Sequence, residues 1–254
     1  MYKKVQYRVL VILIAMLSAT SVDAQEEFID PPSRDLVNIP FEQLTGGIII
    51  LHAKFADFPD TLNFILDTGS SGISLDSTTI KYFGLVPTPS ERSIRGIAGI
   101  RKVSFLYNQS LHFKGLSVDS LNFHINDYSI LTAVYGEKID GIIGFAVLSR
   151  YIVKLDYDKM LVTFSTNGTI RYPRGGYLLR PSFNQLVTQP LRVKDNATIN
   201  SRFLFDLGAG LCMLFSKEFA EDSSLLQKKR KKWVKQGEGL GGKIDMELTV
   251  IKEV

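Results

Sequence analysis

An apolar strand that ends in an aspartate and a glycine occurs twice in this chain, and no other feature restricts the fold as strongly. The first copy is FILDTGSSGISL (Phe64–Leu75), and the second is FLFDLGAGLCML (Phe203–Leu214). A spacing of 139 residues superimposes Asp67 on Asp206. A carboxylate at the end of a buried strand is costly to desolvate unless hydrogen bonds or a function hold it there. The repeat therefore predicts two related lobes, each presenting one carboxylate.

Glycine-rich segments extend this repeat beyond the aspartates. RGIAGIRKVSF carries Gly96 and Gly99 in the first half, and GEGLGGKIDMEL carries Gly239 and Gly242 in the second. A short helix-like segment stands between aspartate and glycines in both halves. Each lobe is thus predicted to contain a strand, a turn, a short helix and a glycine-rich hairpin.

The rest of the pattern indicates an all-β fold. β-Branched and aromatic residues partly alternate in five segments: Gly46–Phe55, Thr61–Leu66, Val103–Phe113, Val118–Ile125 and the predicted hairpin Tyr151–Phe164. Helical pattern is confined to STTIKYFGL, after the first motif, and to SKEFAEDSSLLQKKRKKWVKQ, near the end. Short strands, glycine-rich turns and few helices favour an all-β architecture.

The N-terminus has the pattern of a secretory signal peptide. Lys3, Lys4 and Arg8 precede the apolar run VLVILIAML, and small residues follow up to Ala24. The apolar run is shorter than the roughly 20 residues of a membrane span. We therefore expect cleavage after Ala24, export to the periplasm or the extracellular space, and no stable membrane span. The remaining chain is nearly neutral, so its charge does not predict binding to nucleic acid.

Cysteine and histidine predict neither a disulfide nor a metal site. Cys212 is the only cysteine, and its apolar setting LCMLF predicts a small buried residue. His52, His112 and His124 are scattered through strand-like segments, so no metal or cofactor is predicted. The basic tract QKKRKKWVK is predicted to be a solvated helix face or loop.

Two aspartates brought face to face have a defined chemistry. They cannot both ionise cheaply, so they share one proton. Such a pair can hold a water, with one carboxylate as general base while the other carboxyl polarises a carbonyl oxygen. In this sequence small residues beside the aspartate would let the other lobe approach, and Gly69 permits the backbone path of the turn. Thr68 can hydrogen-bond across the interface, and Ser70 can bind the outer carboxylate oxygen.

The segment ILDTGSSG resembles the active-site motif of the aspartic proteases, both the retroviral and the pepsin type. SIRGIAGIRKV is similar to the glycine-rich flap of retroviral proteases. DGIIGFAVLSRYIVKLDY resembles the apolar-apolar-Gly segment, here Ile142–Gly144, that passes beside the catalytic turn. The resemblance covers about 100 residues, Phe64 to Phe164, and is greatest to bacterial exported aspartyl-protease-like proteins with two lobes in one chain.

The resemblance implies an aspartic-type endopeptidase with a peptide or protein substrate and no cofactor. The implied catalytic residues are Asp67 and Asp206. The implied supporting residues are Thr68, Gly69, Ser70 and Gly208, and the substrate-covering flap is Gly96, Ile97, Ala98 and Gly99. The expected organisation is a signal peptide (1–24), a leader (25–40), a β-barrel first lobe (41–172) and an apparently incomplete second lobe (173–254).

Two departures from the family pattern leave alternatives open. Leu207 stands where the family has Thr or Ser, so a cross-lobe hydrogen bond is lost. No apolar-apolar-Gly segment follows Asp206, and the second lobe looks unfinished. One alternative is a homodimer that uses Asp67 from two chains. The other is a weak or inactive homologue that binds peptides or has a structural role.

Overall fold

The computed structural model describes residues 30–96, 99–226, 229–239 and 242–254. Met1–Pro32 form a unit of their own, of which only residues 30–32 are described, and everything below concerns the second unit, Ser33–Val254. The predicted signal peptide, residues 1–24, lies outside the described residues. No helix in the described part of the chain is long and apolar enough to cross a membrane.

Strands dominate the described part of the chain, as the alternating sequence pattern predicts. The strands of the first half are β1 (Asp35–Gln43), β2 (Ile49–Phe55), β3 (Leu62–Leu66), β4 (Ile73–Asp76), β5 (Ser93–Gly96), β6 (Gly99–Lys102), β7 (Phe105–Phe113), β8 (Leu116–Asn126), β9 (Gly141–Ile143), β10 (Ile152–Asp156) and β11 (Leu161–Ser165). Those of the second half are β12 (Ser182–Asn184), β13 (Leu186–Lys194), β14 (Thr198–Leu204), β15 (Trp233–Gly239) and β16 (Gly242–Leu248). The helices are short: α1 (Ser77–Tyr82), α2 (Ser129–Tyr135), α3 (Phe145–Leu148) and α4 (Lys217–Asp222). The all-β prediction is confirmed.

Six strands of the first half close into a barrel. The hydrogen-bonded order is β2-β3-β9-β4-β8-β7, and β7 pairs back onto β2 through Phe55 and Leu111. Strand β9 runs parallel to β3 and antiparallel to β4, so it lies between the two strands that flank the first Asp-Thr-Gly turn. The sheet continues from β2 through β1 and β11 to β10. Strand β1 begins at Asp35, inside the segment predicted as a leader.

Strand β3 is buried on both faces, which explains its nearly continuous apolar sequence. Phe64 and Leu66 point into the main core, which also contains Phe55, Phe123 and Phe164. Ile65 points the opposite way, into a second apolar cluster with Ile48, Ile50, Tyr128 and Ile139. Because side chains alternate along a strand, one strand separates the two clusters. This double packing fixes the end of β3, where Asp67 follows.

The second half forms smaller sheets. Strands β12, β13 and β14 make a three-stranded antiparallel sheet, and β15 and β16 make a hairpin. The β13–β14 hairpin stands before Asp206 as β2–β3 stands before Asp67. Helix α4 and the β15–β16 hairpin then follow in the order of α1 and β5–β6.

Two predictions for the second half are wrong. The helical pattern near the end predicts a helix that continues through Trp233, but among the described residues of this segment only Lys217–Asp222 is helical, and Trp233–Gly239 is a strand. Gly237 and Gly239 disfavour a helix, and β15 instead satisfies its backbone by pairing with β16. Cys212 is exposed, not buried. Its segment forms no strand, whereas the matching segment of the first copy, β4, is enclosed between β8 and β9.

The basic tract is only partly solvated. Lys231, Lys232 and Lys235 are exposed, as expected. Arg230 instead points inward, where its Nη2 lies 2.8 Å from each carboxylate oxygen of the buried Asp195. Its Nη1 donates to the carbonyl of Val250 at 2.7 Å. A guanidinium can donate several hydrogen bonds in a fixed fork, which explains why this position holds one basic residue inside the fold.

We predict that Asp76→Ala destabilises the first lobe strongly, because the Asp76 carboxylate is buried and satisfies several donors. It accepts from the backbone N–H groups of Thr78 (2.9 Å), Thr79 (3.3 Å) and Tyr128 (2.8 Å). Truncation leaves these donors unpaired, and we expect the free energy of unfolding to fall by about 3 kcal/mol. Urea unfolding measures this loss of unfolding free energy. The matched control is Asp127→Ala, because Asp127 accepts the Ser129 N–H at an exposed position. Equal losses in both variants would contradict the prediction.

Candidate active site

The first aspartate is held where β3 ends against β9. The Asp67 N–H donates to the carbonyl of Ile143 at 2.9 Å. The Gly144 N–H donates to the Gly72 carbonyl at 3.0 Å, and the Phe145 N–H donates to the Ser70 carbonyl at 2.8 Å. A Cβ at Gly144 would overlap both accepting carbonyls, so only glycine fits there. Ile142–Gly144 therefore runs beside the turn, as the sequence predicts.

The two Asp-x-Gly turns have the same local geometry. In the first, the Gly69 N–H donates to Asp67 Oδ1 at 2.6 Å. In the second, the Gly208 N–H donates to Asp206 Oδ1 at 2.8 Å. Each turn thus orients its own carboxylate with a backbone donor two residues ahead. The repeat found in the sequence is preserved in the backbone hydrogen bonds.

The two turns also interlock. A Cβ added at Gly69 would overlap the Asp206 carboxyl group, and one added at Gly208 would lie 2.5 Å from the Asp67 carboxyl carbon. Each glycine therefore makes room for the carboxyl group of the other turn. The two carboxyl groups are thereby brought close enough for the charge of Asp206 to act on Asp67. The structure thus brings Asp67, Gly69, Asp206 and Gly208 together, while their catalytic roles stay predictions.

Thr68 joins the two turns with hydrogen bonds from one side only. Its Oγ1 donates to the Phe205 carbonyl at 2.6 Å and accepts from the Leu207 N–H at 3.0 Å. Leu207 stands at the matching position of the second turn and has no hydroxyl to return these bonds. The first turn therefore supplies both side-chain hydrogen bonds of this connection.

The close carboxyl pair changes the acidity of Asp67. Burial raises the pKa of Asp67 to about 7, with further contributions from the negative charge of Asp206 and the hydrogen bond between the two carboxyl groups. The backbone N–H groups of Gly69 and Ser70 act in the opposite direction, because they stabilise the ionised form. A raised pKa in a pair of aspartates is the condition under which one proton is shared.

The remaining predicted site residues are placed as follows. Ser70 contributes its backbone N–H towards Asp67, and within the described residues its hydroxyl has no hydrogen-bond partner. Gly96 pairs with Gly99 at the end of the β5–β6 hairpin. Ile97 and Ala98 lie outside the described residues. Among the residues that are described, no three His, Cys, Asp or Glu side chains come together to hold a metal ion.

Gly46 also contributes to the site, and the sequence reasoning missed it. It lies in a 3₁₀ turn, Thr45–Gly47, with φ of 83°. A Cβ there would lie 3.1 Å from the carbonyl oxygen of Gly210, just beyond the second turn. The glycine pair before β2 was a visible signal, but glycine pairs mark turns of many kinds. Only the folded chain shows that this one touches the second half.

Comparisons with known proteins agree with the sequence motifs. Residues 52–147 match the family model described as aspartyl protease. Among solved structures, the chain is similar to a retropepsin-like aspartic protease from Rickettsia conorii, with 17% identity over 54% of this chain and 95% of that chain and a TM-score of 0.37. No curated protein matches at a significant level. The family match spans the first turn, the β5–β6 hairpin and Ile142–Gly144, and it confirms the predicted resemblance.

We predict that Gly69→Ala separates the two turns. The new Cβ would overlap the Asp206 carboxyl group, so we expect the pKa of Asp67 to fall towards its usual range as Asp206 moves away. We also expect a loss of roughly 1–3 kcal/mol in unfolding free energy. Carboxyl ¹³C NMR titration and urea unfolding measure the two effects. Gly176→Ala is the matched control, because nothing lies within 4 Å of its Cβ position. A variant with unchanged titration would contradict the interlocked geometry.

The raised pKa of Asp67 also predicts how stability depends on pH. The carboxyl loses its proton near pH 4 in the unfolded chain but near pH 7 in the folded protein. Stability from this group is therefore complete below about pH 4 and is lost as the pH rises to 7. Each unit of pKa difference is worth about 1.4 kcal/mol, and partial solvent access reduces the total to roughly 1–3 kcal/mol.

Urea unfolding between pH 4 and 7.5 measures this slope. Asp67→Asn, which cannot titrate, should flatten it, and the difference between the two proteins should grow towards neutral pH. Parallel curves for the two proteins would show that Asp67 titrates alike in the folded and unfolded chain.

Proposed function

We propose that this chain, whose residues 52–147 match the aspartyl protease family model, is an aspartic-type endopeptidase that uses Asp67 and Asp206 as one catalytic pair. The observation that carries the proposal is the interlocking of the two turns, in which each carboxyl group lies against the glycine of the other turn. A structural role alone does not require two half-buried carboxyl groups to lie so close together, because their repulsion costs stability.

The arrangement supports peptide hydrolysis by an activated water. One carboxylate takes a proton from a water held between the pair, and the water oxygen attacks the peptide carbonyl carbon. The other carboxyl donates its proton to the carbonyl oxygen, which gives a neutral tetrahedral diol. Collapse of the diol breaks the C–N bond: the amine takes a proton from the protonated carboxyl, and the other carboxylate takes a proton from a diol hydroxyl as the new carbonyl forms. We assign the proton-holding role to Asp67, because its pKa is raised.

The proposed substrate is an extended peptide or unfolded protein. The β5–β6 hairpin corresponds to the flap of the resemblance, and its backbone groups would cover a bound peptide strand. We further propose that the protein acts after export to the periplasm or the extracellular space, because residues 1–24 have the pattern of a signal peptide.

A second candidate function is peptide binding without efficient catalysis. The one-sided hydrogen bonding of Thr68 favours it, because Leu207 cannot help to lock the pair. Exposed apolar side chains in the second half also favour it; they include Phe183, Phe205 and Leu214. The homodimer that pairs Asp67 of two chains has less support, because Asp206 already occupies the position beside Asp67.

We predict that Asp67→Asn and Asp206→Asn each abolish hydrolysis of an unfolded protein between pH 3 and 7. Asparagine keeps the size of the side chain but removes the titrating carboxyl, so either change ends the sharing of a proton. The matched control is Asp158→Asn, an exposed acid in the turn between β10 and β11, which should cleave like the parent protein. Thermal unfolding of all variants confirms that they fold.

The pattern of losses separates the alternatives. Loss of cleavage in both variants supports the intramolecular pair. Loss of cleavage in Asp67→Asn alone supports a dimer built on Asp67. A parent protein that folds and binds peptides but cleaves none supports the binding function. Full cleavage by Asp67→Asn would contradict every catalytic version.

A further inference from the structure

A buried tyrosine lies behind the first active-site turn, outside the family motifs discussed above. Tyr128 precedes helix α2 and is only 4% exposed. Its ring belongs to the second apolar cluster, with Ile48, Ile50 and Ile65. Ile65 is two residues before Asp67, on the face of β3 opposite the main core. The tyrosine therefore packs against the strand that delivers the catalytic aspartate.

The Tyr128 hydroxyl begins a series of hydrogen bonds that ends at the turn. It lies 2.6 Å from Ser74 Oγ, one hydroxyl donating to the other. Ser74 Oγ accepts from the backbone N–H of Ile142 at 3.2 Å. The carbonyl of the following residue, Ile143, accepts the Asp67 N–H at 2.9 Å. Two side chains and one strand thus connect the tyrosine to the aspartate.

Tyr128 is itself held from two directions. Asn126 Nδ2 donates to its hydroxyl oxygen at 3.0 Å, and its own backbone N–H donates to Asp76 Oδ1 at 2.8 Å. The Asp76 N–H donates to the carbonyl of Asp140 at 2.7 Å. A buried side chain whose polar groups are all paired has little freedom to move. Tyr128 can therefore hold Ser74 and β9 in a fixed position.

The charged groups around Tyr128 are carboxylates. Asp67 and Asp76 both lie near enough to disfavour its ionised form, while the Asp140 carboxylate is paired with Lys138 Nζ at 2.5 Å. Burial, followed by these charges, raises the pKa of Tyr128 to about 12, against the opposing hydrogen bonds from Asn126 and Ser74. The hydroxyl is therefore neutral wherever the aspartate pair titrates. It is a constant polar group near enough to Asp67 to sense its charge.

We propose that Tyr128 is a positioning residue for Asp67, acting through Ser74 and β9 to hold the aspartate and its proton in register with Asp206. The inference rests on the proposed function of the pair. It is narrower than that function, because it concerns only the position and the acidity of the Asp67 carboxyl group. Loss of the hydroxyl should leave the apolar packing intact but release Ser74 and make the surroundings of Asp67 less polar. A less polar surrounding favours the protonated carboxyl.

The test is Tyr128→Phe, compared with Tyr151→Phe. Tyr151 also packs against the barrel core, edge-on to Phe164, but on the side of β10 and β11. In Tyr128→Phe we expect kcat to fall about fivefold or more with KM within about twofold, because positioning acts on the chemical step. The pH midpoint of the Asp67 carboxyl, followed by ¹³C NMR, should rise by about half a unit or more. Tyr151→Phe should change neither quantity.

Ser74→Ala and the double variant give an independent check. If the tyrosine acts through Ser74, the two changes should be strongly non-additive, both in kcat and in the Asp67 midpoint. Additive effects would overturn the inference. So would a Tyr128→Phe protein that is less stable but retains kcat and the Asp67 midpoint, because that is the behaviour of a structural residue. If the parent protein cleaves nothing, the proposed function fails, while the carboxyl titration still decides this inference.

Discussion

The whole site depends on the absence of two side chains. Gly69 and Gly208 have no Cβ, and each leaves the space that the opposite carboxyl group occupies. No rotamer change could make the same room, because the overlap begins at the first side-chain carbon. Two carboxyl groups can therefore touch only if both turns keep glycine at this position. Burial of the Asp67 carboxyl in this arrangement, followed by the negative charge of Asp206, raises the pKa of Asp67.

The barrel stabilises the first lobe's side of this arrangement. Strand β9 inserts parallel to β3 and supplies the Ile143 carbonyl for the Asp67 N–H, while Gly144 lets the turn lie flat against it. The N–H groups of Gly69 and Ser70 face the carboxylate. Backbone donors thus replace part of the lost water, and buried apolar residues on both faces of β3 fix the strand. The firmly packed strand thus holds a turn that carries a partly desolvated carboxyl group.

The sequence predicts the first lobe well because its signals are local. The strand–Asp–Thr–Gly turn, the glycine hairpin and Ile142–Gly144 each follow from a few adjacent residues, and the structure has all of them. Errors are found in the second half, at Cys212 and at Trp233, where an apolar or helical pattern has no matching tertiary partner among the described residues. A prediction from the sequence pattern assumes that every apolar segment packs into a hydrophobic core. The contacts of Gly46 and Tyr128 depend on chain crossings that no short motif encodes.

The two turns are alike in backbone and unlike in surroundings, and this difference bears on how a shared proton is distributed. The Thr68 hydroxyl provides two hydrogen bonds to the second turn, while the Leu207 side chain provides none to the first. The first turn is also backed by β9 and by the Tyr128–Ser74 hydroxyl pair, whereas β14 lies at the edge of its described sheet. Equal carboxyl groups in unequal environments do not share a proton equally. The first turn is more completely enclosed than the second, which supports the proposal that Asp67 is the carboxyl group that holds the proton.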